Sequence, residues 1–340
     1  MIVLGIESSC DETAISLFEC APSENGVTPR LLGEKVASQE DVHVIYGGVV
    51  PELAAREHLR NLPILVSALC KEQNISIKEI DAIGVTKGPG LKGCLLMGVC
   101  FAEGLSLALQ IPLIGINHIE AHLSAALLDN PELDFPFLAL IVSGGHTEIV
   151  YAKALGEYQI LAQTSDDAAG ETFDKSANLL GFPYPGGAKL AKLADTVTSS
   201  PFKLPRVMRE AAGFSFSGLK TAISLLIAEV KDQYGEDLPL AELAYTIQDS
   251  IVDALVFKLK KALKEHDVKK VAVVGGVSAN RCLRRTIQSL PNISVYFPDF
   301  SHSVDNGAMV GYLACKRLMR GEKSQLNSSV LARWSIEDLS

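Results

Sequence analysis

Residues 137–163, FLALIVSGGHTEIVYAKALGEYQILAQ, decide the predicted fold. They contain three short runs typical of β-strands, at Phe137–Val142, Thr147–Lys153 and Tyr158–Gln163. The matching runs at the start of the chain are Ile2–Glu7, Thr13–Cys20 and Leu31–Ser38. Each set leads into alternating helical and strand patterns, which makes two successive β-β-β-α-β-α-β-α passes. Such a repeat predicts a duplicated α/β architecture with a cleft between two lobes.

The other predicted elements complete the two passes. In the first pass, helices are predicted at 51–72, at 92–109 and from 118 onward, and strands at 81–86 and 112–116. In the second pass, helices are predicted at 171–180, 188–194, 219–231, 240–265 and from 280, with strands at 270–274 and 294–297. A last helix begins near 306. Ligands of such sheets bind where strand ends meet loops.

The predicted lobes divide the chain near its middle. Residues 1–130 form the first lobe, and residues 131–305 form the second, with a helical insertion around 186–240. The last helix, at about 306–320, is expected to pack back on the first lobe. The proline-bounded segment Pro131–Pro136 is the expected hinge.

Composition describes an ordinary globular protein and restricts its partners. The chain has 340 residues, of which 48% are hydrophobic and 21% charged, with a net charge of −9. This charge argues against a generally basic nucleic-acid coat, although local basic stripes are still allowed. An apolar stretch at Cys94–Ile116 is interrupted by Glu103, Gln110 and Pro112, and we predict a buried helix followed by a strand there, with no membrane contact.

The seven cysteines indicate a reducing compartment. Their number is odd, and none are spaced as Cys-x-x-Cys. We therefore expect free thiols, with neither a disulfide framework nor a zinc ribbon. Because the chain begins directly with a strand, we expect a cytoplasmic protein.

Two histidines, in the segment His118-Ile119-Glu120-Ala121-His122, open a predicted helix. Four residues of helix turn through about 400°, so the two imidazoles share a face and can hold one metal ion. Glu120 lies about 200° from His118, which differs from the His-Glu-x-x-His arrangement of zinc proteases. The alternative is a pair of polar histidines at a helix start.

Asp305 is the predicted third ligand. It lies in the polar loop Ser301–Gly307, whose alternative role is to cap the last helix through Asp305 or Ser303. Two histidines and one carboxylate would leave coordination positions open for a substrate, as catalysis requires.

Four turns rich in glycine or acidic residues follow predicted strands. They are Glu7–Thr13, Lys87–Gly93, Ser143–Thr147 and Gly275–Arg281. Such turns let backbone N–H groups approach phosphate oxygens, although a glycine pair between strands is also ordinary hairpin chemistry. Their occurrence in both passes suggests a nucleotide held between lobes, as in the sugar kinase, Hsp70 and actin (ASKHA) superfamily.

Asp174 lies near a predicted helix start, in Gly170-Glu171-Thr172-Phe173-Asp174-Lys175. This is either an acidic first turn favoured by the helix dipole or a carboxylate for the hydroxyls of a ribose or another small ligand.

These strings together resemble the TsaD family, also called Gcp, YgjD or Kae, over essentially the whole chain. Further strings that carry the resemblance are Gly48–His58, Val142–Thr147, Phe214–Lys220 and Asp305–Met309. The resemblance implies the two-lobed ASKHA fold. It also implies transfer of threonylcarbamoyl from threonylcarbamoyl-AMP to N6 of the adenosine 3′ of the anticodon, in tRNAs reading codons that begin with A (t6A formation).

The resemblance also implies site residues. The metal ligands fall on His118, His122 and Asp305, for Fe²⁺ or alternatively Zn²⁺. The contacts of the adenylate, whose site ATP or ADP could also occupy, fall on Ile141, Val142, Ser143, Gly144, Gly145, Asp174, Gly187 and Asn280. This chain lacks the tyrosine ligand of archaeal relatives and has Ala191 where some relatives carry an acid.

Asp11 and Glu12 are our candidate catalytic groups. The N6 amine is a poor nucleophile because its lone pair is delocalised, so a base that takes its proton would contribute to the rate. The two acids could serve as that base or could orient the metal ligands.

An acidic protein that binds tRNA needs a local surface for phosphates. Candidates are Arg56, Arg60 and Arg206, with further basic residues at Lys203, Arg209, Arg281, Arg284 and Arg285. Residues at such spacing are also common on solvated faces.

The resemblance implies partners. These are a TsaB-like paralogue forming a heterodimer, a TsaE-like ATPase, and a TsaC/YrdC/Sua-type synthase that supplies the adenylate. The rival functions are an ATP-dependent small-molecule kinase on the same fold, a metalloprotease and a non-catalytic scaffold.

Overall fold

The computed structural model describes residues 1–23, 26–206, 212–235, 237–324 and 329–339. The chain divides into two compact units. Unit 1 contains Met1–Pro131 and Val304–Asp338, and unit 2 contains Glu132–Ser303.

Unit 1 is built on a five-stranded mixed sheet in the order β3-β2-β1-β4-β5. Strand β1 pairs antiparallel with β2 and parallel with β4. The strands are β1 (Ile2–Glu7), β2 (Glu12–Ser23), β3 (Gly26–Ser38), β4 (Ala82–Gly88) and β5 (Leu113–Asn117). The helices are α1 (Glu40–His43), α2 (Pro51–Glu72), α3 (Lys92–Leu109), α4 (His118–Asp129) and α10 (Gly307–Leu318).

Unit 2 repeats this plan with the order β10-β9-β6-β7-β8. Strand β6 pairs antiparallel with β7 and parallel with β9, as β1 does with its neighbours. The strands are β6 (Phe137–Val142), β7 (Thr147–Ala154), β8 (Glu157–Gln163), β9 (Lys270–Val274) and β10 (Ser294–Tyr296). The helices are α5 (Ala169–Leu179), α6 (Gly187–Ala194), α7 (Ser217–Tyr234), α8 (Leu240–Glu265) and α9 (Arg281–Gln288). The two sheets confirm the predicted duplicated ASKHA-type α/β fold.

Helix α10 packs on the first sheet and on α4, so the end of the chain completes unit 1. Glycine makes this close approach possible, because a Cβ added at Gly5 would lie 2.5 Å from the backbone nitrogen of Gly311. Ser124 of α4 donates a hydrogen bond to the Met309 carbonyl of α10 over 2.8 Å. This docking brings residue 305 to the helix that carries the histidines.

A buried ion pair also joins α4 to α10. The Arg317 guanidinium donates to the Glu120 carboxylate, with Nη2–Oε1 at 2.7 Å and Nε–Oε2 at 3.0 Å. Both side chains are almost fully buried, and these contacts raise the pKa of Arg317 against the effect of its burial. Helical spacing places Glu120 away from the position of the glutamate in zinc proteases. In this structure its partner is Arg317.

Two features differ from the sequence predictions. Cys20 of β2 and Cys315 of α10 are joined by a disulfide, with Cα atoms 6.0 Å apart, so the expectation that all seven cysteines are free thiols was wrong for this pair. The helix at Lys92–Leu109, which was predicted to be buried, packs against α2 and β4, but only 33% of its residues are buried. Among the described residues this helix is also the one candidate, by length and composition, for a membrane span.

Candidate metal centre and ligand site

The histidine pair lies at the N-terminus of α4 because Asn117 ends β5 and caps the helix. The Asn117 Oδ1 accepts hydrogen bonds from the backbone N–H groups of Ile119 and Glu120, at 2.9 and 3.1 Å. Helical spacing then places the His118 and His122 rings 4.6 Å apart, edge to face, with both side chains buried. The predicted shared face is therefore present.

Asp305 lies beside this face. Its Oδ1 is 3.1 Å from His122 Nε2 and 3.6 Å from His118 Nε2, and the three candidate ligand atoms lie within 4.8 Å of one another. The alternative that Asp305 or Ser303 caps α10 is wrong, because Asn306 caps it by accepting from the Met309 N–H at 2.8 Å. Capping by the next residue leaves the Asp305 carboxylate directed at the histidines.

The chemistry of these residues fits a divalent cation. Among the residues that the structure describes, neither ring nitrogen of the buried His122 has a hydrogen-bond partner. The Nε2 atom lies 3.1 Å from Asp305 Oδ1 without forming a hydrogen bond, so we interpret the two atoms as ligands that face a common point. A buried unsatisfied imidazole is costly, and a cation at Nε2 would satisfy it. Two imidazoles and a carboxylate suit Fe²⁺ or Zn²⁺ with open positions.

Glu7, which the sequence analysis did not single out as a site residue, lies behind His118. Its Oε2 is 3.1 Å from His118 Nδ1, and the carboxylate is fully buried. Burial opposes ionisation of Glu7, but the charge and hydrogen bond of His118 outweigh it and lower its pKa. Burial likewise opposes the charge on His118, while Glu7 and Asp305 raise the His118 pKa to about 9. The site therefore favours positive charge, which a metal cation would supply.

Asp11 lies in the turn between β1 and β2, and Glu12 is the first residue of β2; both are partly buried. Burial, with the negative charges of Asp305 and Asp11, raises the pKa of Glu12 to about 9. A dication beside Asp305 would oppose this shift. His58 of α2 holds the same turn: its Nε2 is 2.9 Å from the Cys10 carbonyl oxygen and its Nδ1 is 2.8 Å from Thr13 Oγ1. His58 ends the string Gly48–His58, and the sequence alone does not indicate that it contacts this turn.

The adenylate residues predicted at 141–145 lie in unit 2, at the turn between β6 and β7. The side chains of Ile141 and Val142 are fully buried, so only their backbone could contact a ligand. Ser143 closes the turn by donating its N–H to the His146 carbonyl at 2.8 Å. Gly144 and Gly145 are exposed, and a Cβ at either would meet no atom within 4 Å.

Asp174 and Gly187 form a second predicted contact in unit 2. The Asp174 Oδ1 accepts from the backbone N–H groups of Gly186 and Gly187, at 3.0 and 2.7 Å. Burial raises the Asp174 pKa although these two hydrogen bonds lower it. A Cβ at Gly187 would lie 2.9 Å from the Phe173 Cβ, so glycine is needed for this close packing.

Both polar groups of the Asn280 side chain make hydrogen bonds within unit 2. Its Oδ1 caps α9 by accepting from the Leu283 N–H at 2.9 Å, and its Nδ2 donates to Gln248 Oε1 at 2.7 Å. A ligand that contacts this side chain would therefore meet a group already held in place.

Comparisons with known proteins identify the family. A family model described as "TsaD: tRNA N6-adenosine threonylcarbamoyltransferase" matches residues 30–312. The chain is 47% identical to the tRNA N6-adenosine threonylcarbamoyltransferase of Legionella pneumophila (strain Lens), over 99% of this chain and 100% of that relative. The chain belongs to the TsaD family. The Nitrosomonas eutropha member is 44% identical over the full length of both.

Solved structures of other proteins are similar to this chain in fold. HypF from T. kodakarensis is similar with a TM-score of 0.60, at 16% identity over 93% of this chain and 47% of that chain. Component A of the Acidaminococcus fermentans (R)-2-hydroxyglutaryl-CoA dehydratase has a TM-score of 0.57, at 14% identity over 94% of this chain and 99% of that chain. As a TsaD-family member the chain is a transferase of tRNA modification, and the predicted family is confirmed.

The predicted tRNA-contact residues differ in whether an acidic side chain already balances their charge. Arg56 and Arg60 of α2 are exposed, and Arg60 lies 3.8 Å from Glu57. Arg206 donates to Asp249 at 2.6 Å and lies 3.7 Å from Asp253, so its charge is already balanced. Arg284 lies over the Phe297 and Phe300 rings, which makes it a packing residue. Of the other candidates, Lys203, Arg281 and Arg285 are exposed, and Arg209 lies outside the described residues.

Proposed function

We propose that this chain transfers the threonylcarbamoyl group from threonylcarbamoyl-AMP to N6 of the adenosine 3′ of the anticodon, in tRNAs reading codons that begin with A. The reaction would take place in the cytoplasm. The observation that carries the proposal is the cluster of His118, His122 and Asp305 in a TsaD-family chain, with its ligand atoms within 4.8 Å of one another.

In this proposal His118, His122 and Asp305 hold one divalent metal, Fe²⁺ or Zn²⁺. The metal would supply Lewis acidity at the carbamoyl carbonyl and offset the charge that develops on the departing AMP.

Asp11 and Glu12 are the proposed groups for the N6 proton. A dication beside Asp305 would oppose the raised pKa of Glu12, so both carboxylates stay candidates for the proton acceptor of the metal-loaded enzyme.

Unit 2 would bind the adenylate chiefly through its backbone. The exposed glycines of the β6–β7 turn leave the amide groups of Gly144 and Gly145 accessible, because no Cβ stands in the way. Asp174 would hold the turn at Gly187 in shape for the ribose, and Asn280 would keep the start of α9 in place.

The tRNA would contact Arg56 and Arg60, because their charges are less balanced than that of Arg206. We further propose a TsaB-like paralogue as a partner that covers exposed apolar side chains of α2 and α3. These side chains are Leu59 (61%), Ile64 (58%), Leu96 (41%) and Leu107 (61%). A TsaE-like ATPase and a TsaC/YrdC/Sua-type synthase would complete the system.

The test is transfer of labelled threonylcarbamoyl from its adenylate to a transcript of an A-decoding tRNA. Wild type is compared with His118→Ala, with and without a TsaB-like protein and a TsaE-like ATPase. We expect product from wild type and at least about a hundredfold less from the variant, since a metal contributes several kcal/mol to such reactions. A folded wild type that forms no product with the partners present, but phosphorylates a small molecule at the expense of ATP, would replace the proposal with a kinase.

A further inference from the structure

Glu7, at the end of β1, has a buried carboxylate that lies within hydrogen-bond distance of three groups. Its Oε1 accepts the Ser9 backbone N–H at 2.6 Å. Its Oε2 accepts the Thr86 hydroxyl at 2.6 Å and lies 3.1 Å from His118 Nδ1. An ionised carboxylate can only accept hydrogen bonds, so Nδ1 must carry a hydrogen to bond with it.

A second neighbour of His118 Nδ1, the Ser9 hydroxyl, does not select one tautomer of the ring. Ser9 Oγ lies 3.2 Å from Nδ1, but a hydroxyl both donates and accepts, so it is compatible with either tautomer of the ring. The carboxylate is therefore the group that determines where the proton of a neutral His118 resides.

We propose that Glu7 is a positioning residue that fixes the Nδ1–H tautomer of His118 and so leaves the Nε2 lone pair for the metal. The inference rests on the proposed metal site, since Nε2 is the atom that lies toward Asp305, at 3.6 Å. A histidine that binds a metal through one nitrogen commonly donates from the other to a carboxylate, which fixes the ring and raises its basicity.

The hydrogen-bond pattern makes Glu7→Gln a specific test. The Ser9 N–H can only donate, so the carbonyl oxygen of the new amide must take the place of Oε1. Its NH₂ group then takes the place of Oε2, beside Thr86 and His118 Nδ1. This N–H donor beside Nδ1 favours the tautomer in which Nδ1 accepts, which moves the ring proton to Nε2 and blocks the metal ligand.

Glu7→Ala should do less harm to the metal site, although it removes more atoms. It imposes no donor on Nδ1, and Ser9 Oγ can still accept from Nδ1–H. A purely structural role for Glu7 predicts the reverse order, because glutamine preserves the volume and alanine leaves a cavity.

The experiment measures Zn²⁺ affinity of the full chain by competition with a chromophoric chelator. We expect affinity to fall by about tenfold for Glu7→Ala and by about a hundredfold for Glu7→Gln, the range found when the partner of a metal-bound histidine is removed. Glu120→Gln is the matched control, since it also converts a buried carboxylate of unit 1 to an amide. Its partner is Arg317, so it should lower the unfolding temperature and leave Zn²⁺ affinity unchanged.

A second measurement uses only the wild type, so it does not depend on the folding of the variants. In the Zn²⁺-loaded chain, ¹⁵N chemical shifts should show His118 protonated at Nδ1 and metal-bound at Nε2; the opposite assignment would overturn the inference. Equal affinities for wild type and Glu7→Gln, with loss of binding in His122→Ala, would reject the role of Glu7 and leave the metal site standing. A folded wild type that binds no Zn²⁺ would reject both.

Discussion

The two units share one sheet topology but present opposite chemistry at equivalent turns. In unit 1 the turn after β1 is acidic and lies near a cluster of buried titratable side chains, including Glu7, His118 and His122. In unit 2 the turn after β6 has exposed glycines, and its neighbouring carboxylate, Asp174, binds backbone N–H groups. The duplicated fold thus determines where the turns lie, and the side chains determine whether a turn suits a cation or an anionic ligand.

The difference has an energetic consequence. Unit 1 buries charges, which is favourable only when each has a partner. Around the turn after β6, unit 2 relies on backbone donors and close glycine packing, which carry a smaller cost when one contact is lost. Changes to buried charges in unit 1 should therefore have larger effects than equivalent changes in unit 2.

The largest effect is expected for Arg317→Met. It leaves the buried Glu120 carboxylate without its bidentate partner, so the free energy of unfolding should fall by about 3–5 kcal/mol. Chemical denaturation of the single variant and of Arg317→Met/Glu120→Leu would measure this. The double variant should recover much of the loss; equal losses in both would show that the charge is not the cause.

A smaller effect is expected in unit 2 for Asp174→Ala. It leaves the N–H groups of Gly186 and Gly187 without their acceptor, which costs about 1–3 kcal/mol. We expect weaker binding of the adenylate by calorimetry, with Zn²⁺ affinity unchanged. If Zn²⁺ affinity fell with that of the adenylate, the assignment of separate chemistry to the two units would be wrong.

The stability of the metal-free chain should depend on pH through Glu12 of unit 1, which gives a third test of the difference between the two units. The folded pKa of Glu12, about 9, lies above its ordinary value of 4.5, so the stability contribution of this group is present below pH 4.5 and is lost as the pH rises toward 9. Glu12→Gln should flatten this loss, by on the order of 1 kcal/mol after solvent screening. Thermal unfolding in a chelator between pH 5 and pH 9 would test it, and parallel curves for both proteins would contradict it.

The smallest effect is expected for Arg206→Ala. Because Asp249 already balances this exposed charge, tRNA affinity should change by less than about threefold. Arg56→Ala is the comparison and should weaken binding more, with a shallower salt dependence. If a filter-binding titration showed a larger loss of tRNA affinity for Arg206→Ala than for Arg56→Ala, the tRNA would instead contact unit 2.

The sequence by itself determined the local elements and part of the site. The boundaries predicted for Pro51–Glu72, Lys92–Leu109 and Leu240–Glu265 agree with the helices, because hydrophobic periodicity and end signals act within a few residues. The shared face of His118 and His122 follows from the helical repeat alone.

Only the tertiary structure decided which distant side chains meet. The docking of α10 on the first sheet brings Asp305 to the histidines and Arg317 to Glu120, and it joins Cys20 to Cys315. Sequence also could not show that Glu7 lies behind His118 or that Asp249 balances Arg206. These contacts depend on packing between elements far apart in the chain, and no local propensity encodes that packing.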